Sequence, residues 1–384
     1  MSQAPRPLGS LAGGNMPKIC FVAPSLGRGG AERVVTTLAE HFHKSAYDLV
    51  LVTSRRVEDE YVLSFPLKRR LLEEEIAGTA QILPGVLGRM AKRVKGLKRI
   101  FKEEQPDIVV SFLGKMNIYT MLSRSALKPD AKIFLSVRSD PNQEYRGAVD
   151  RFLANSLFPK ATGVILQTED ARAFFKPAVK AKCTVLPNVL SEEFMEPIAE
   201  GERRKEIVMV GRLDANKNHE MVIRAFAKVL PEHPDYKLVI YGDGLPDETN
   251  TRPALEKLAK TLKIDEKIVF MGRQSGIHDK IKHSAIFVLA SGYEGMPNAL
   301  LEAMATGLCC ISTDCPIGGP RSVIHDHENG VLIPVGDESA LEATLLEVMG
   351  DETLQRQLGT EAHKLAEELS PERVCRSWAE VLFN

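Results

Sequence analysis

The chain has 384 residues, 44% of them hydrophobic, a length that suits two domains of ordinary size rather than one core. Against 51 Asp and Glu stand 50 Lys and Arg, so the formal charge is -1; no global field draws the chain to nucleic acid, and any basic surface must be local. Its six cysteines (Cys20, Cys183, Cys309, Cys310, Cys315, Cys375) show neither CxxC spacing nor a dense framework, and no run approaches the roughly 18 consecutive apolar residues of a membrane span.

Residues 1–15 are polar and rich in Gly and Pro, with no apolar centre of the signal-peptide kind. They read as an added leader or a disordered arm, with Met16 as the original start. From Lys18 onward, short β-branched runs alternate with amphipathic stretches. Strands are expected at Lys18–Ala23, Asp48–Thr53, Asp107–Phe112, Lys132–Val137 and Gly163–Gln167. A joint follows at Pro187-Asn188. The series then restarts at Glu206–Val210, Lys237–Tyr241, Lys267–Met271, Ile286–Ala290, Cys309–Thr313 and Val331–Pro334. Helical patterns between the strands imply parallel sheets of βαβ units in both halves, an α/β chain of two Rossmann-like, doubly wound domains over 16–187 and 188–369. A closing segment, 370–384, opens on Ser370-Pro371-Glu372 and carries the one tryptophan, Trp378. Doubly wound sheets bind ligands beyond the carboxyl ends of their strands, so the ligand is expected in a cleft between the two domains.

The first strand runs into Ser25-Leu26-Gly27-Arg28-Gly29-Gly30-Ala31-Glu32-Arg33 and then a good helix, Val34–His41. Glycines there let the backbone approach a ligand, and a helix start offers N–H groups to a phosphate. Counted from Gly27, the third glycine of the dinucleotide fingerprint is replaced by Glu32, and no Gly-Lys-Ser/Thr follows, so neither that motif nor a P-loop is present. A tight structural turn explains the loop equally well.

Between Gly85 and Glu103 one helical stripe carries Val86, Leu87, Met90, Val94, Leu97 and Phe101. Arg89, Lys92, Arg93, Lys95, Lys98, Arg99 and Lys102 fill most of the rest. The stripe can pack on the domain while the cations meet anionic lipid or a polyprenyl diphosphate; a surface helix with a solvated basic face has the same pattern. Gly88 and Gly96 weaken it as a free-standing helix.

In the second half, Val210-Gly211-Arg212-Leu213-Asp214-Ala215-Asn216-Lys217 takes a strand end into a helix start. Arg212 and Lys217 there can neutralise a diphosphate leaving group; a solvated turn is the plainer reading. The later run Ser291-Gly292-Tyr293-Glu294-Gly295-Met296-Pro297-Asn298-Ala299-Leu300-Leu301-Glu302 shifts the balance. Pro297 opens a helix that carries Glu302 about a turn and a half inside, so both carboxylates can face one ligand while the N–H groups around Gly295–Asn298 point at it. Carboxylates accept paired hydrogen bonds from sugar or ribose diols. His219 reads as a helix-packing residue.

Taken together these segments resemble the large glycosyltransferase family 4, of GT-B fold, whose members retain anomeric configuration. The resemblance runs from about Lys18 to the C-terminus. It is carried by Gly29-Gly30-Ala31-Glu32-Arg33, Gly211-Arg212-Leu213 with Lys217, Glu294 with seven residues before Glu302, and Gly318-Gly319-Pro320-Arg321 ahead of Asn329-Gly330. It implies a nucleotide-diphosphate sugar donor, UDP-linked, held by Arg212 and Lys217 at the diphosphate, Glu294 at the sugar and Glu302 at the ribose. Gly29 and Gly30 face the transferred group; Gly295, Met296, Pro297 and Asn298 complete the donor site, and Gly272 with Arg273 border the base. Arg212, Lys217 and Glu294 are the catalytic set. No metal and no cofactor are implied.

By the same resemblance the first domain binds acceptor and the second binds donor, with 370–384 a helix crossing back to the first. Relatives that build glycans on lipid carriers often show a basic helix in the acceptor domain. The acceptor implied is thus a glycan on polyprenyl diphosphate, at the cytosolic face of a bacterial inner membrane with anionic lipid, with Lys92, Arg93, Lys98 and Arg99 toward it. In Ser136-Val137-Arg138-Ser139-Asp140, Arg138 or Asp140 is a contact to acceptor or donor, with Arg138 also a candidate on the acceptor and membrane side, or the run is a plain loop. Three alternatives remain: a sugar-nucleotide 2-epimerase of the same fold, a transferase with a soluble acceptor, and a non-catalytic sugar-nucleotide binder.

Overall fold

Strands written almost wholly in Val, Ile, Leu and Phe suit a sheet covered on both faces, which is the parallel kind. The structure, a computed structural model, describes residues 16–27, 29–77, 85–244 and 249–384; the leader and Arg28 of the glycine loop lie outside the described residues. Two units separate, one of residues 1–189 with 371–384 and one of residues 190–370.

The first unit holds a seven-stranded parallel sheet in the order β3-β2-β1-β4-β5-β6-β7. Its strands are β1 (Lys18–Ala23), β2 (Asp48–Thr53), β3 (Lys68–Leu71), β4 (Ile108–Phe112), β5 (Lys132–Ser136), β6 (Gly163–Leu166) and β7 (Cys183–Val185). The expected strands are all present to within two residues. The two that sequence reading misses, β3 and β7, are the two edges. Lys-Arg-Arg-Leu does not look like a strand because an edge needs no apolar alternation, and cations there discourage further pairing.

Those edge cations have a buried anchor. Glu104 has a side chain only 2% exposed, and its carboxylate is met by Lys18 at 3.3 Å, Lys68 at 2.8 Å and Arg70 at 2.9 Å. Burial alone would raise its pKa; the hydrogen bonds from Lys68, Arg70 and Lys18 outweigh that and hold it below the ordinary carboxylate value. Glu104→Gln leaves three cations around a neutral amide and is expected to lower stability by about 3 kcal/mol in denaturant unfolding, as for a broken buried ion pair. A loss under about 0.5 kcal/mol, the usual surface value, would show that the cluster is solvated.

The helices of this unit that matter to function are α1 (Gly30–Lys44), α2 (Leu72–Ile76), α3 (Gly85–Glu104), α4 (Gly114–Ser123), α5 (Pro141–Glu144) and α6 (Ala148–Leu157). α3 corrects the expectation of a single packed stripe. Leu97, Ile100 and Phe101 are buried, but Val86 and Leu87 are 69% and 60% exposed. The reason is coverage: α3 packs against α2 and α4 through its second half. Gly96 has a packing role there, since a Cβ at that position would stand 2.7 Å from Ile76 Cγ2 and 2.9 Å from Leu72 Cδ1. Val149 and Phe152 of α6 are likewise exposed, at 64% and 68%, and α6 also packs on α4.

The second unit holds a six-stranded parallel sheet, order β10-β9-β8-β11-β12-β13. Its strands are β8 (Arg204–Val210), β9 (Lys237–Tyr241), β10 (Ile268–Gly272), β11 (Ser284–Leu289), β12 (Cys309–Thr313) and β13 (Val331–Ile333). α7 (His219–Val229) covers one face with Val222, Ile223, Phe226 and Val229 fully buried. α8 (Asn298–Ala305) is buried from Leu300 to Ala305.

The last helix, α9 (Pro371–Phe383), belongs to the first unit. Trp378 is fully buried and stacks on Phe112 of β4 at 5.8 Å, while Phe383 stacks on Tyr47 at 4.8 Å and meets Phe42 edge-on at 5.8 Å. Among the described residues no helix is long and apolar enough to cross a membrane, and no group of three or more His, Cys, Asp or Glu is placed to hold a metal ion.

Candidate functional site

At the end of β8 the chain reverses through Gly211-Arg212-Leu213-Asp214. Asp214 caps the short 3-10 turn Ala215–Lys217, accepting from the Lys217 N–H at 3.3 Å. This turn fixes where Lys217 points. Its methylenes pass over Gly211, and its ammonium reaches Glu294 Oε1 at 2.5 Å.

Glu294 comes from the loop after β11. Ser291 Oγ donates to the same carboxylate oxygen at 2.7 Å. The Glu294 N–H donates to the Pro316 carbonyl at 2.7 Å, and its own carbonyl accepts from the Ile317 N–H at 3.1 Å, so the segment after β12 holds it in place. The Lys217 and Glu294 side chains are 18% and 15% exposed, which screens the pair far less than a surface salt bridge.

Asn216 joins the two loops and has no signature in the sequence. Its Oδ1 accepts from the Tyr293 N–H at 3.1 Å, its Nδ2 donates to the Tyr293 carbonyl at 3.1 Å, and its backbone carbonyl accepts from the Gly292 N–H at 2.8 Å. It is the residue that places Lys217 and Glu294 in register. A polar residue in a turn beside a lysine is too common to single out from sequence.

Arg212 lies at the rim, its side chain 68% exposed and 3.3 Å from Asp214. Glu302 is the opposite case: it sits in the second turn of α8 and is only 4% exposed. Pro297 stands at the N-cap of α8, extended and without a side-chain hydrogen bond, one position earlier than expected; Asn298 is the first helical residue and Met296 is buried before it. The positive pole of α8 thus follows directly on the Glu294-Gly295 loop. His219 is buried at the start of α7, and burial with the nearby Lys217 charge lowers its pKa to about 4, so it is neutral at ordinary pH.

Gly272 ends β10 and its carbonyl accepts from the Gly242 N–H at 2.9 Å. Gly242 has φ 139°, and a Cβ there would collide with the Gly211 carbonyl, so only glycine lets the β8 and β9 ends approach this closely. Asp243 ties the same edge together, accepting from the Arg273 N–H and from Arg252, each at 2.9 Å.

In the first unit, α1 starts at Gly30 with Gly29 as N-cap and no side-chain cap. A Cβ on Gly29 would collide with the Glu32 carboxylate, whose pKa burial raises. The loop before it is tethered through Glu60: Leu26 and Val57 donate backbone N–H groups to Oε1 at 3.4 and 3.1 Å, and Arg69 grips both oxygens at 2.6 and 2.9 Å. The Arg69 hydrogen bonds, against burial, bring the Glu60 pKa from 4.5 to about 2. A depressed carboxylate contributes stability above its unfolded value and loses it as pH falls towards the folded one. Urea unfolding is therefore expected to show about 1–3 kcal/mol lost at this site between pH 5 and pH 2, and Glu60→Gln to flatten that acid limb. An unchanged acid limb in the variant would remove Glu60 from the explanation.

Arg138 lies at the end of β5 and is 7% exposed, so it cannot meet a lipid surface; the membrane half of that expectation is corrected by burial. Its guanidinium donates to Asn188 Oδ1, which also accepts from Gln167 Nε2 at 2.8 Å, and its N–H donates to Glu144 at 2.8 Å. Burial lowers the guanidinium to about 9 despite Glu144, and burial raises Glu144 to about 7 despite its backbone donors. Asp140 is taken up as the cap of α5, accepting from the Asn142 N–H at 2.8 Å. On α3, Arg99 is exposed while Lys92, Arg93 and Lys98 are half-buried.

Comparison with known proteins divides along the same units. Residues 28–194 match the family model described as Glycosyltransferase Family 4, and residues 191–365 match Glycosyl transferases group 1. The chain is 28% identical over 372 residues to the Campylobacter jejuni GalNAc-alpha-(1->4)-GalNAc-alpha-(1->3)-diNAcBac-PP-undecaprenol alpha-1,4-N-acetyl-D-galactosaminyltransferase, covering 96% of this chain and 98% of that one. It is 27% identical over 388 residues to the N-acetylgalactosamine-N,N'-diacetylbacillosaminyl-diphospho-undecaprenol 4-alpha-N-acetylgalactosaminyltransferase of the same organism, covering 96% and 100%. Among solved structures, Anabaena Alr3699/HepE in complex with UDP and glucose superposes with a TM-score of 0.79 at 17% identity, covering 95% of this chain and 99% of that one.

Proposed function

Because the chain belongs to glycosyltransferase family 4 and is an enzyme of GT-B fold, we propose that it moves a hexose or N-acetylhexosamine from a UDP-sugar, with retention and without a metal, onto a glycan carried on polyprenyl diphosphate. The observation that carries this reading is the Lys217–Glu294 pair, enclosed and clamped by Ser291 and Asn216 at the carboxyl ends of β8 and β11. A ligand entering there meets an ammonium and a carboxylate already in place. Lys217 with Arg212 at the rim balances the charge that grows on the leaving diphosphate, while Glu294 accepts hydrogen bonds from sugar hydroxyls.

In the step proposed, the bond from the anomeric carbon to the diphosphate oxygen breaks. The acceptor oxygen bonds to the same face of that carbon, and its proton passes to the departing diphosphate. No protein nucleophile is assigned. Glu302, inside α8, is assigned to the ribose hydroxyls, Gly295, Met296, Pro297 and Asn298 to the donor, Gly272 with Arg273 to the base, and Gly29 with Gly30 to the transferred sugar.

The UDP donor is supported by the UDP in the Anabaena structure, and the lipid-linked acceptor by the undecaprenol substrates that the two Campylobacter enzymes are named for. Peripheral association with an anionic inner membrane, on its cytosolic face, is supported by the basic α3 with Val86 and Leu87 exposed at its start, and by exposed Val149 and Phe152 on α6. Nucleotide release from UDP- and GDP-sugars, measured in EDTA with and without lipid-linked glycan, tests the reading. Release from one UDP-sugar, strongly stimulated by the lipid-linked glycan, is expected. Epimerised donor without transfer, or dependence on added metal, would overturn it.

A further inference from the structure

The first unit contains a cavity of about 360 Å³ that the donor chemistry does not use. It lies beyond the carboxyl ends of β1 and β4, walled by Pro24 immediately after one strand and Leu113 immediately after the other. In the order β3-β2-β1-β4-β5-β6-β7 the chain proceeds outward in opposite directions from these two neighbours. That is the point at which a doubly wound sheet opens a crevice for a ligand. Leu113 makes the turn at φ 72°, ψ 150°, a region that is essentially glycine's own and costs of order 1–3 kcal/mol for a leucine.

Three cations from three elements line this cavity: Arg55 after β2, Arg93 on α3 and Lys115 in the first turn of α4, with Glu73 of α2 the one acid. None of the three cations has an ion pair among the described residues. Lys18, Lys68, Arg69, Arg70 and Lys128 of the same unit, by contrast, are each matched to a carboxylate. Uncompensated cations facing a cavity from separate elements leave a net positive charge of about two there, which matches a diphosphate ester.

We infer that this cavity holds the phosphate-bearing part of the acceptor, with Arg55, Lys115 and Arg93 as the ligating groups. The inference rests on the reading that the acceptor carries a diphosphate. Two sources share that chemistry, a lipid-linked diphosphate and a soluble glycosyl phosphate.

The test uses the full chain and inorganic diphosphate in a calorimetric titration. Arg212→Ala/Lys217→Ala removes the donor-side cations, so the binding that survives reports the cavity. That residual binding is expected to weaken at least tenfold when Arg55→Ala and Lys115→Ala are added; both side chains are exposed, so the fold is not at stake. In turnover, Arg55→Ala/Lys115→Ala is expected to raise the KM for acceptor at least tenfold and leave the KM for donor unmoved. Lipid-linked glycan in phosphatidylglycerol vesicles and a soluble glycosyl phosphate are compared; the source is the one whose KM moves. No residual diphosphate binding, or residual binding indifferent to the added changes, would overturn the inference. If residual binding falls as expected but no phosphate-bearing acceptor is glycosylated, the cavity stands and the proposed acceptor class fails.

Discussion

Lys217→Ala and Glu294→Ala are each expected to reduce kcat/KM for sugar transfer by about 100- to 1000-fold, the usual effect of deleting one preorganised group that meets developing charge. The geometry adds a complication that can be used. The two side chains neutralise each other at 2.5 Å and are mostly enclosed. Removing one strands the other, so each single variant should also lose about 1–3 kcal/mol of stability. Lys217→Ala/Glu294→Ala together removes both charges and should recover much of that stability, yet its activity should be no better than that of the worse single variant. Unfolding free energy and kcat/KM on the same four proteins then separate the roles. If the double variant regained activity along with stability, the pair would be a structural salt bridge and the site assignment would fall.

A comparable effect is expected at the basic helix. Changing Lys92, Arg93, Lys98 and Arg99 to Glu removes four cations, each worth about 1 kcal/mol at an anionic surface, so the partition onto phosphatidylglycerol vesicles should weaken by about 1000-fold or more. Arg99 contributes least, because its guanidinium is 3.7 Å from Glu75 and donates to the Glu75 carbonyl at 3.2 Å. Co-sedimentation should be abolished on anionic vesicles and little altered on neutral phosphatidylcholine, where Val86 and Leu87 supply the remaining attraction. Undiminished binding to the anionic vesicles would assign the membrane contact, if any, to another surface.

The sheets were readable because their central strands are continuous apolar runs: Ile-Cys-Phe-Val-Ala in β1 and Ala-Ile-Phe-Val-Leu in β11 admit few other structures. Edges were not. β3 is three cations and a leucine, and only its partner Glu104, some thirty positions later, explains why they are tolerated. The same split runs through the site. Lys217 and Glu294 stand out as charges at strand ends, and nothing in the linear spacing says that they touch; that depends on Asn216 clasping the Tyr293 backbone. α3 shows the converse limit. A periodic stripe says which side of a helix can be buried, whereas how far along the burial extends is decided by where α2 and α4 end.

α9 completes the first unit from the far end of the chain. In sequence terms residues 190–370 are an insertion within the other unit, and the chain passes between the two units twice. A nascent chain can therefore finish its second unit while the first still lacks a wall, with Phe42, Tyr47 and Phe112 waiting for Phe383 and Trp378. The unit that is translated first is completed last. A premature stop near residue 370 would spare the second unit and leave the first open to aggregation and proteolysis.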